Sequence, residues 1–443
     1  MDLLIALLIF VACMAASLIL NLTMLLPLGI GFCLFAAISV RRGFPLKEVL
    51  RFAADSFRDS FIVIGILLII GCLTGLWRMG GTIAYFVSLG VSLIPPGVFL
   101  LAVFILTSLM SYALGTSFGV TATAGVILIS IARAGGVNTV LAAGAVLSGV
   151  YVGDRGSPAA SSANLVAVMT HTDVRKNVRE MLKYSAVPFL ICCLIYGVLS
   201  PLAPMRSMDT DILDMLAAEF NLEWYCLIPA ALMILLPFCG LNVKWSMMVS
   251  LVSSIFVSIF VQHEDILSCI KAMLLGYTAK DSALSEMLSG GGIISMLEIC
   301  GILFISGTYG GIFRGTAMLS GVSEKLSEIA ARIGRYPVML LLGVAVSALF
   351  CNQTIGIMIQ SQLSDGLYGS DEEERNMMML DIENSVVLVS GLVPWCIACS
   401  VPLSMMGADM RSIFTGFYIW MVPICWLLHK NICSGKPHSV KRR

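Results

Sequence analysis

The chain has 443 residues, 58% of them hydrophobic and only 12% charged, with 27 basic and 27 acidic side chains in balance. Soluble domains carry about 25% charged residues, so this composition excludes an ordinary soluble enzyme and gives no electrostatic reason to expect a nucleic-acid partner. The apolar residues come in runs of roughly 18–22, the length that spans about 30 Å of hydrocarbon. The expected fold class is an all-α polytopic membrane protein.

The first run, Leu3–Leu20, has no basic start and continues into a second run, Leu22–Val40, so it reads as a helix and not as a signal peptide. The next segment, RRGFPLKEVLRFAADSF, sets Leu46, Val49, Leu50, Ala53 and Phe57 on one helical face with basic residues opposite. Such a helix lies in the membrane interface. Apolar runs follow at Phe61–Trp77 and Ile83–Ile94, the latter stopped by Pro95-Pro96. Another run, Val98–Ala113, is interrupted by Gly115-Thr116-Ser117-Phe118-Gly119 and resumes to Ile131.

Leu141–Val152 leads into the stretch Leu147–Leu165, LSGVYVGDRGSPAASSANL, which carries Asp154, Arg155, three Gly residues, a Ser-Pro and a run of small polar side chains between apolar runs. Lipid tolerates broken, polar backbone only where protein or a water-filled cavity covers it. An ionisable residue within the membrane is a functional-site hypothesis by default. The stretch therefore reads as one half of a transport site. A basic loop (HTDVRKNVREMLK) and the run Val187–Leu202 close a first repeat spanning 1–205.

Residues 206–223 form an acidic linker with Asp209, Asp211, Asp214, Glu219 and Glu223, and Arg206 as its only basic residue. A second repeat, 224–430, then begins with Tyr225–Phe238, Met247–Val261 and another amphipathic segment containing Ile266, Leu267, Ile270, Met273 and Leu274. Five short patterns of the first repeat recur in the same order: Gly65–Gly71 in Gly301–Gly307, Gly75–Arg78 in Gly311–Arg314, the break at Gly115 in Cys351-Asn352-Gln353-Thr354 after Val338–Phe350, Val146–Gly149 in Leu388–Gly391, and the amphipathic helix itself. An offset of roughly 220–240 residues shared by all of them implies two homologous halves. The chain closes with Ile413–Leu428 and a basic tail, 431–443.

Three basic clusters (Arg41 to Arg58, Arg175 to Lys183, Lys436 to Arg443) are expected on the cytoplasmic side, and the acidic linker outside. The two amphipathic helices then fall on opposite faces. The expected architecture is two inverted repeats with interrupted helices, re-entrant hairpins and one interfacial amphipathic helix per half, in the plasma membrane with both termini cytoplasmic. Inverted repeats place a site at the bilayer midplane.

Candidate residues for that site are Thr116, Ser117, Asp154, Ser157, Ser161, Ser162 and Asn164 in the first half, and Asn352, Gln353, Thr354, Asp381, Glu383, Asn384, Ser385 and Trp395 in the second. A hard cation takes oxygen ligands from carboxylates, hydroxyls, amides and freed carbonyls. A carboxylate in a low-dielectric site can also take up a proton, and so couple proton and cation by competition. Plainer readings stand beside these. Ser and Thr in membrane helices hold helices together, and Asp154 with Arg155 can be a simple ion pair at a hairpin tip. Glu298, in the apolar run IISMLEICGILFIS, is a second candidate for proton handling. Arg78 and Arg314 are expected to snorkel at helix ends, and Asp371–Glu374 to be a solvated loop. Most of the fourteen Cys sit in apolar runs and suggest neither a disulfide framework nor a zinc site. Cys396 and Cys399 form a WCxxC pattern read as helix packing, with thiol redox chemistry as the alternative. No nucleotide-binding motif is present.

The stretch Val152–Leu165 resembles the GDxxSPxSDTTNL signature of the NhaC-type sodium/proton antiporters. Gly115–Gly119 resembles that family's GTSFGT, and Asn352-Gln353, Glu383-Asn384-Ser385 and Pro394-Trp395 its NQ, EDS and PW positions. The resemblance covers nearly the whole chain. It implies a two-repeat ion transporter, no enzyme activity and no cofactor beyond transported Na⁺ and H⁺. It also implies Na⁺/H⁺ antiport by alternating access, with Na⁺ held by Asp154, Ser157, Asn164 and Glu383. Some positions depart from the pattern. The signature's second Asp falls on Ser161, its two Thr on Ser162 and Ala163, the Asp of EDS on Asn384, and the Asn-Thr after PW on Cys396-Ile397. Fewer anionic ligands favour the alternative, a Na⁺- or H⁺-coupled exchanger of a small organic acid or amino acid in the same fold. The expected partners are the lipid bilayer and a small ion or organic solute, with a homodimer left open.

Overall fold

Inside lipid a backbone must satisfy its own hydrogen bonds, and an apolar run does so as a helix. The computed structural model describes residues 2–20, 22–57, 60–204, 210–281, 284–285, 288–316, 318 and 321–433. Among these residues it contains helices and no β-strand, only an isolated bridge between Tyr277 and Gly290. The basic tail with Lys436, Lys441, Arg442 and Arg443, together with Arg58, Arg206 and Asp209, lies outside the described residues.

The first half comprises α1 (Asp2–Ile19), α2 (Leu25–Arg41), α3 (Leu46–Phe57), α4 (Ser60–Met79), α5 (Thr82–Leu93), α6 (Phe99–Leu114), α7 (Ser117–Val120), α8 (Val126–Ala134), α9 (Thr139–Gly156), α10 (Ser161–Thr170) and α11 (Val174–Leu202). A π-helical turn, Thr121–Gly125, joins α7 to α8. After the linker helix α12 (Thr210–Glu219), the second half comprises α13 (Ile228–Phe238), α14 (Val243–Phe260), α15 (Ile266–Leu275), α16 (Leu297–Gly315), α17 (Val322–Ile333), α18 (Arg335–Phe350), α19 (Gln353–Ser364), α20 (Glu372–Glu383), α21 (Val386–Val389), α22 (Ile397–Met405) and α23 (Phe417–Cys433). Of these, 6 helical runs are long and apolar enough to cross a membrane, or up to 8 if two bent pairs count as single spans.

The helices turn apolar side chains outward as well as inward. On α11, Val187, Leu190, Leu194 and Val198 form an exposed stripe at helical spacing. A soluble monomer rarely exposes such a patch, whereas a bilayer covers it. The amphipathic α15 behaves alike: its bulky Ile266, Leu267 and Ile270 point outward, while small Cys269 and Ala272 pack inward.

Each amphipathic helix packs on the glycine-bearing helix of the other half, α3 on α16 and α15 on α4. A Cβ at Gly75 would sit 2.3 Å from the Ala272 carbonyl oxygen, and one at Gly311 1.9 Å from that of Phe52. Both glycines are there because backbone crosses backbone, and the crossings interlock the two halves.

Two helical hairpins define the interior. One is α6 with α7–α8. Leu101 N donates to Ser200 Oγ near its start (3.2 Å), and Arg133 near its end donates to the Met406 and Gly407 carbonyls (2.7 Å each). The other is α18 with α19. Arg335 at its start pairs with Glu374, and Asp365 at its end with Arg375. The start of α11 carries Lys176, paired with Glu372 beside the second hairpin, and its far end carries Ser200, bonded to Leu101 at the start of the first. The two hairpins therefore run in from opposite ends of the bundle.

Several expectations change. Asp154 and Arg155 lie in the last turn of α9, not in a loop; the non-helical piece is only Ser157–Ala160. The basic segment after His171 is the start of α11, N-capped by Asp173. The acidic linker contains α12. Asp371 N-caps α20 and Glu372–Glu374 form its first turn, where acidic side chains complement the helix dipole; Asp371, Glu372 and Glu373 are exposed as expected, but the segment is a helix start and not a loop. Arg78 does not snorkel: it is buried and donates to the Thr74 carbonyl.

Candidate functional site

Both hairpin tips need one left-handed residue followed by an extended N-cap to reverse the chain. Gly115 (φ 66°, ψ 28°) and Thr116 (φ −146°, ψ 123°) do this in the first hairpin. Cys351 (φ 53°, ψ 15°) and Asn352 (φ −141°, ψ 121°) repeat it in the second. Thr116 Oγ1 accepts from Gly119 N, and Asn352 Oδ1 from Thr354 N and Ile355 N. These two candidate ligands thus act as N-caps, each satisfying free N–H groups of its own helix.

The turns that interrupt the neighbouring spans also match. Ser157 (φ −92°, ψ 139°) corresponds to Val393 (φ −88°, ψ 112°), and Ala160 (φ −70°, ψ 133°) to Cys396 (φ −72°, ψ 138°). All four correspondences keep the spacing of Gly115 to Cys351. In that register Val146–Gly149 does not face Leu388–Gly391, so that one sequence echo is off by about a turn and a half.

Asp154 is where the tips meet. Its Oδ1 accepts from Ser117 Oγ of the first tip (3.1 Å), and its Oδ2 from Gln353 Nε2 of the second (3.1 Å). Gln353 Nε2 also donates to the Val387 carbonyl, and Ser162 Oγ donates to the Asp154 carbonyl. Ser117 and Gln353 each open a helical run, so the positive ends of two helix dipoles face this carboxylate. Close packing of α6 on α9 fixes it in place: a Cβ at Gly153 would lie 1.9 Å from Ser111 C.

Glu383 and Asn384 end α20 alongside. Glu383 is fully buried and neither carboxylate oxygen has a hydrogen-bond donor. The charges that bear on it are Arg155 and Asp154. Asn384 Oδ1 accepts from Arg155 Nη2 at 2.6 Å, and its carbonyl from Tyr336. Ser385 Oγ donates to the Asp381 carbonyl and accepts from Gln360 Nε2.

Other candidates are placed elsewhere or spent locally. Ser157 Oγ accepts from Ala159 N, and Asn164 Nδ2 donates to the Pro158 and Ala160 carbonyls, so both hold the turn and not the Asp154 carboxylate. Ser161 and Thr354 are exposed. Trp395 Nε1 donates to the Ala348 carbonyl behind the second tip. Asp381 is saturated by Tyr368, Trp426 and Lys430, tying α20 to α23. Glu298 sits exposed on the first turn of α16 and accepts from Thr23, away from the tips. Cys396 and Cys399 are free thiols, wholly buried in the packing around the second turn.

Arg155, Gln360 and Tyr151 belong to this region and were not among the candidate residues. Arg155 does not pair with Asp154; it reaches Ser185 and Asn384 instead. Tyr151, one turn before Asp154, donates to the Ala398 carbonyl across the two halves. Among the described residues no group of three or more His, Cys, Asp or Glu side chains converges to hold a metal ion.

With this geometry in hand, comparison with known proteins is specific. A family model described as the Na⁺/H⁺ antiporter family matches residues 149–434, the part that contains Asp154, both spans' turns and the second tip. The chain is similar to the malate-2H⁺/Na⁺-lactate antiporter of Bacillus subtilis, with 28% identity over 86% of this chain and 84% of that one. It is also similar to the Na⁺/H⁺ antiporter NhaC of the same organism (24%, covering 96% of each) and to the arginine/ornithine antiporter ArcD of Halobacterium salinarum (24%, covering 85% and 80%).

Proposed function

Because the chain belongs to the Na⁺/H⁺ antiporter family, we propose that it is a secondary antiporter that couples Na⁺ and H⁺ by alternating access about a midplane site. One observation carries the reading: a single buried carboxylate, Asp154, is held at once by the tips of both hairpins. Any relative movement of the tips must change what that carboxylate contacts. Its occupancy is thereby tied to conformation, and coupling requires that link.

Glu383 is the second coupling residue. A buried carboxylate without a donor is costly unless it holds a proton or a cation, so its two free oxygens suit alternating occupancy by one and the other. Ser117, Ser162 and Gln353 complete the polar shell. The matching backbone of the two tips and two turns, together with hairpins that run in from opposite ends, supports two inverted repeats as the origin of the site. The exposed apolar stripes support a multi-pass position in the bilayer.

The test is a proteoliposome flux assay with a lumenal pH dye. A Na⁺ step is expected to drive H⁺ movement in the wild type, and Asp154→Asn and Glu383→Gln to abolish it while eluting and melting as the wild type does. Unchanged flux in Asp154→Asn rejects the reading.

A second reading is exchange of a small organic acid or amino acid with Na⁺ or H⁺ as the coupling ion. What favours it is the loss of acidic residues at Ser161 and Asn384, together with relatives named for malate, lactate, arginine and ornithine exchange. Solute counterflow in the same vesicles separates the two readings.

A further inference from the structure

Arg155 is a buried cation with no carboxylate in direct contact, although Glu383 is close enough for the two charges to bear on each other. The side chain is wholly buried at the end of α9. Its Nη1 donates to Ser185 Oγ on α11 and its Nη2 to Asn384 Oδ1, while Nε has no acceptor. Among the described residues no carboxylate oxygen lies within 4.0 Å of the guanidinium. Asp154, its neighbour in sequence, is turned to Ser117 and Gln353.

The orphaned atoms cluster. Arg155 Nε, Asn384 Nδ2 and both oxygens of Glu383 are all buried and unpartnered, and they belong to side chains where the ends of α9 and α20 meet. An uncompensated buried charge costs several kcal/mol, and a pair of opposite charges is the usual remedy. Here the residue facing the guanidinium is an amide. An aspartate at 384 would satisfy Arg155 permanently with a fork-to-fork ion pair. Asparagine instead orients the guanidinium through its carbonyl oxygen, leaves it without a fork-to-fork carboxylate and adds a free N–H donor.

We propose that Arg155 and Asn384 form the docking point for the carboxylate of a transported small organic acid, with the substrate supplying the directly bonded carboxylate that the guanidinium lacks. This rests on the solute-exchange reading and names its substrate class and binding residues. Glu383, whose charge bears on Arg155 and whose oxygens have no donor, must hold a proton or the coupling cation while the substrate carboxylate is docked, which ties solute binding to the coupling ion. Arg155 is suited to the role because its planar fork accepts a carboxylate with two parallel bonds. Asn384 is the specificity determinant.

The experiment uses the purified full-length protein. Melting temperature and counterflow of radiolabelled propionate, succinate and L-alanine are measured with and without Na⁺, with chloride as the simple-anion control. Wild type is expected to be stabilised by at least one carboxylate probe and to exchange it. Arg155→Gln and the near-isosteric Asn384→Asp are each expected to lose roughly ten- to hundredfold in affinity, the size of a charge-assisted contact. Arg155→Lys keeps the charge without the fork and is expected to fall between. Unliganded melting temperatures and elution profiles of the variants identify any that fail to fold. If the wild type exchanges Na⁺ for H⁺ but binds no carboxylate, both the solute reading and this assignment fall. If it transports a carboxylate and Asn384→Asp and Arg155→Gln keep full affinity, solute exchange stands and this assignment falls. Stabilisation by chloride equal to that by the carboxylates reduces the site to an adventitious ion only and also overturns it.

Discussion

Asp154 and Arg155 are neighbours in sequence and strangers in space. Consecutive residues on a helix point about 100° apart and do not face each other. A reading of the segment as a loop tip invites an ion pair between them; the helix forbids it, and each side chain finds its own partners. Asp154 and Gln353 were legible because polar residues in apolar runs have few innocent explanations. Arg155 was visible as a charge beside Asp154, but its bonds to Ser185 and Asn384 were not, because partners on distant helices have no sequence signature. The Asp154 contacts give a direct test of the tip-to-tip link. Gln353→Leu leaves Asp154 Oδ2 without its donor and is expected to cost about 1–3 kcal/mol in unfolding free energy. Ser117→Ala removes the hydroxyl donor but keeps the Ser117 backbone N–H near the carboxylate, and should cost less, about 0.5–1.5 kcal/mol. The two together should be non-additive, since they share one carboxylate. Strict additivity in chemical denaturation would show that Asp154 does not link the tips.

At the scale of elements, the breaks were visible as Gly115–Ser117 and Cys351–Thr354, but the division of labour inside them was not. Small polar residues at an interruption look alike as ligands and as caps. Thr116 and Asn352 prove to be caps, and replacing either by Ala is expected to destabilise by about 1 kcal/mol. The left-handed residue before each cap differs between halves, and the difference is measurable. At Gly115 a Cβ would sit 2.5 Å from Ala159 C, against the turn that carries the Ser-Pro. Gly115→Ala should therefore cost about 2–4 kcal/mol, from the left-handed backbone and the clash together. Cys351 already holds a side chain at φ 53°, fully buried. Cys351→Ala removes only a sulfur from that space and should cost about 1 kcal/mol or less. Equal losses at the two positions, measured by thermal melts in one detergent, would mean that the tips do not share the packing described. Such asymmetry between matching positions also explains why a short echo was registered wrongly at Leu388–Gly391. The backbone is kept, while the side chains that label it have diverged.

For the whole molecule the question is whether the hairpins enter from opposite faces of the membrane. Composition gave the lipid-embedded helices, and the charge clusters gave an orientation, but neither shows where a hairpin returns, because a returning pair and a crossing pair have the same hydropathy. The contacts supply the return. The first hairpin ends beside Gly407 through Arg133, and the second ends beside the start of α20 through Asp365 and Arg375. The start of the first hairpin bonds Ser200 at one end of α11, and Glu372 pairs with Lys176 at the other. A protease site inserted at Gly136 in the exposed turn after α8, and another at Ser370 before α20, test this in the intact protein. With the basic clusters inside, the Ser370 site should be cut in inside-out vesicles and resist in right-side-out ones, and the Gly136 site should do the reverse. Lys176 and Glu372, paired at the surface beside Ser370, belong to the first and second halves, so a cut there should also report how firmly the halves are latched on that face. A charge swap, Lys176→Glu with Glu372→Lys, restores the pair and should leave the cutting pattern unchanged, whereas either single change should speed cutting at Ser370. Cleavage of both sites from one face would leave Asp154 with no pair of opposed tips to join, and alternating access about it would have no structural basis.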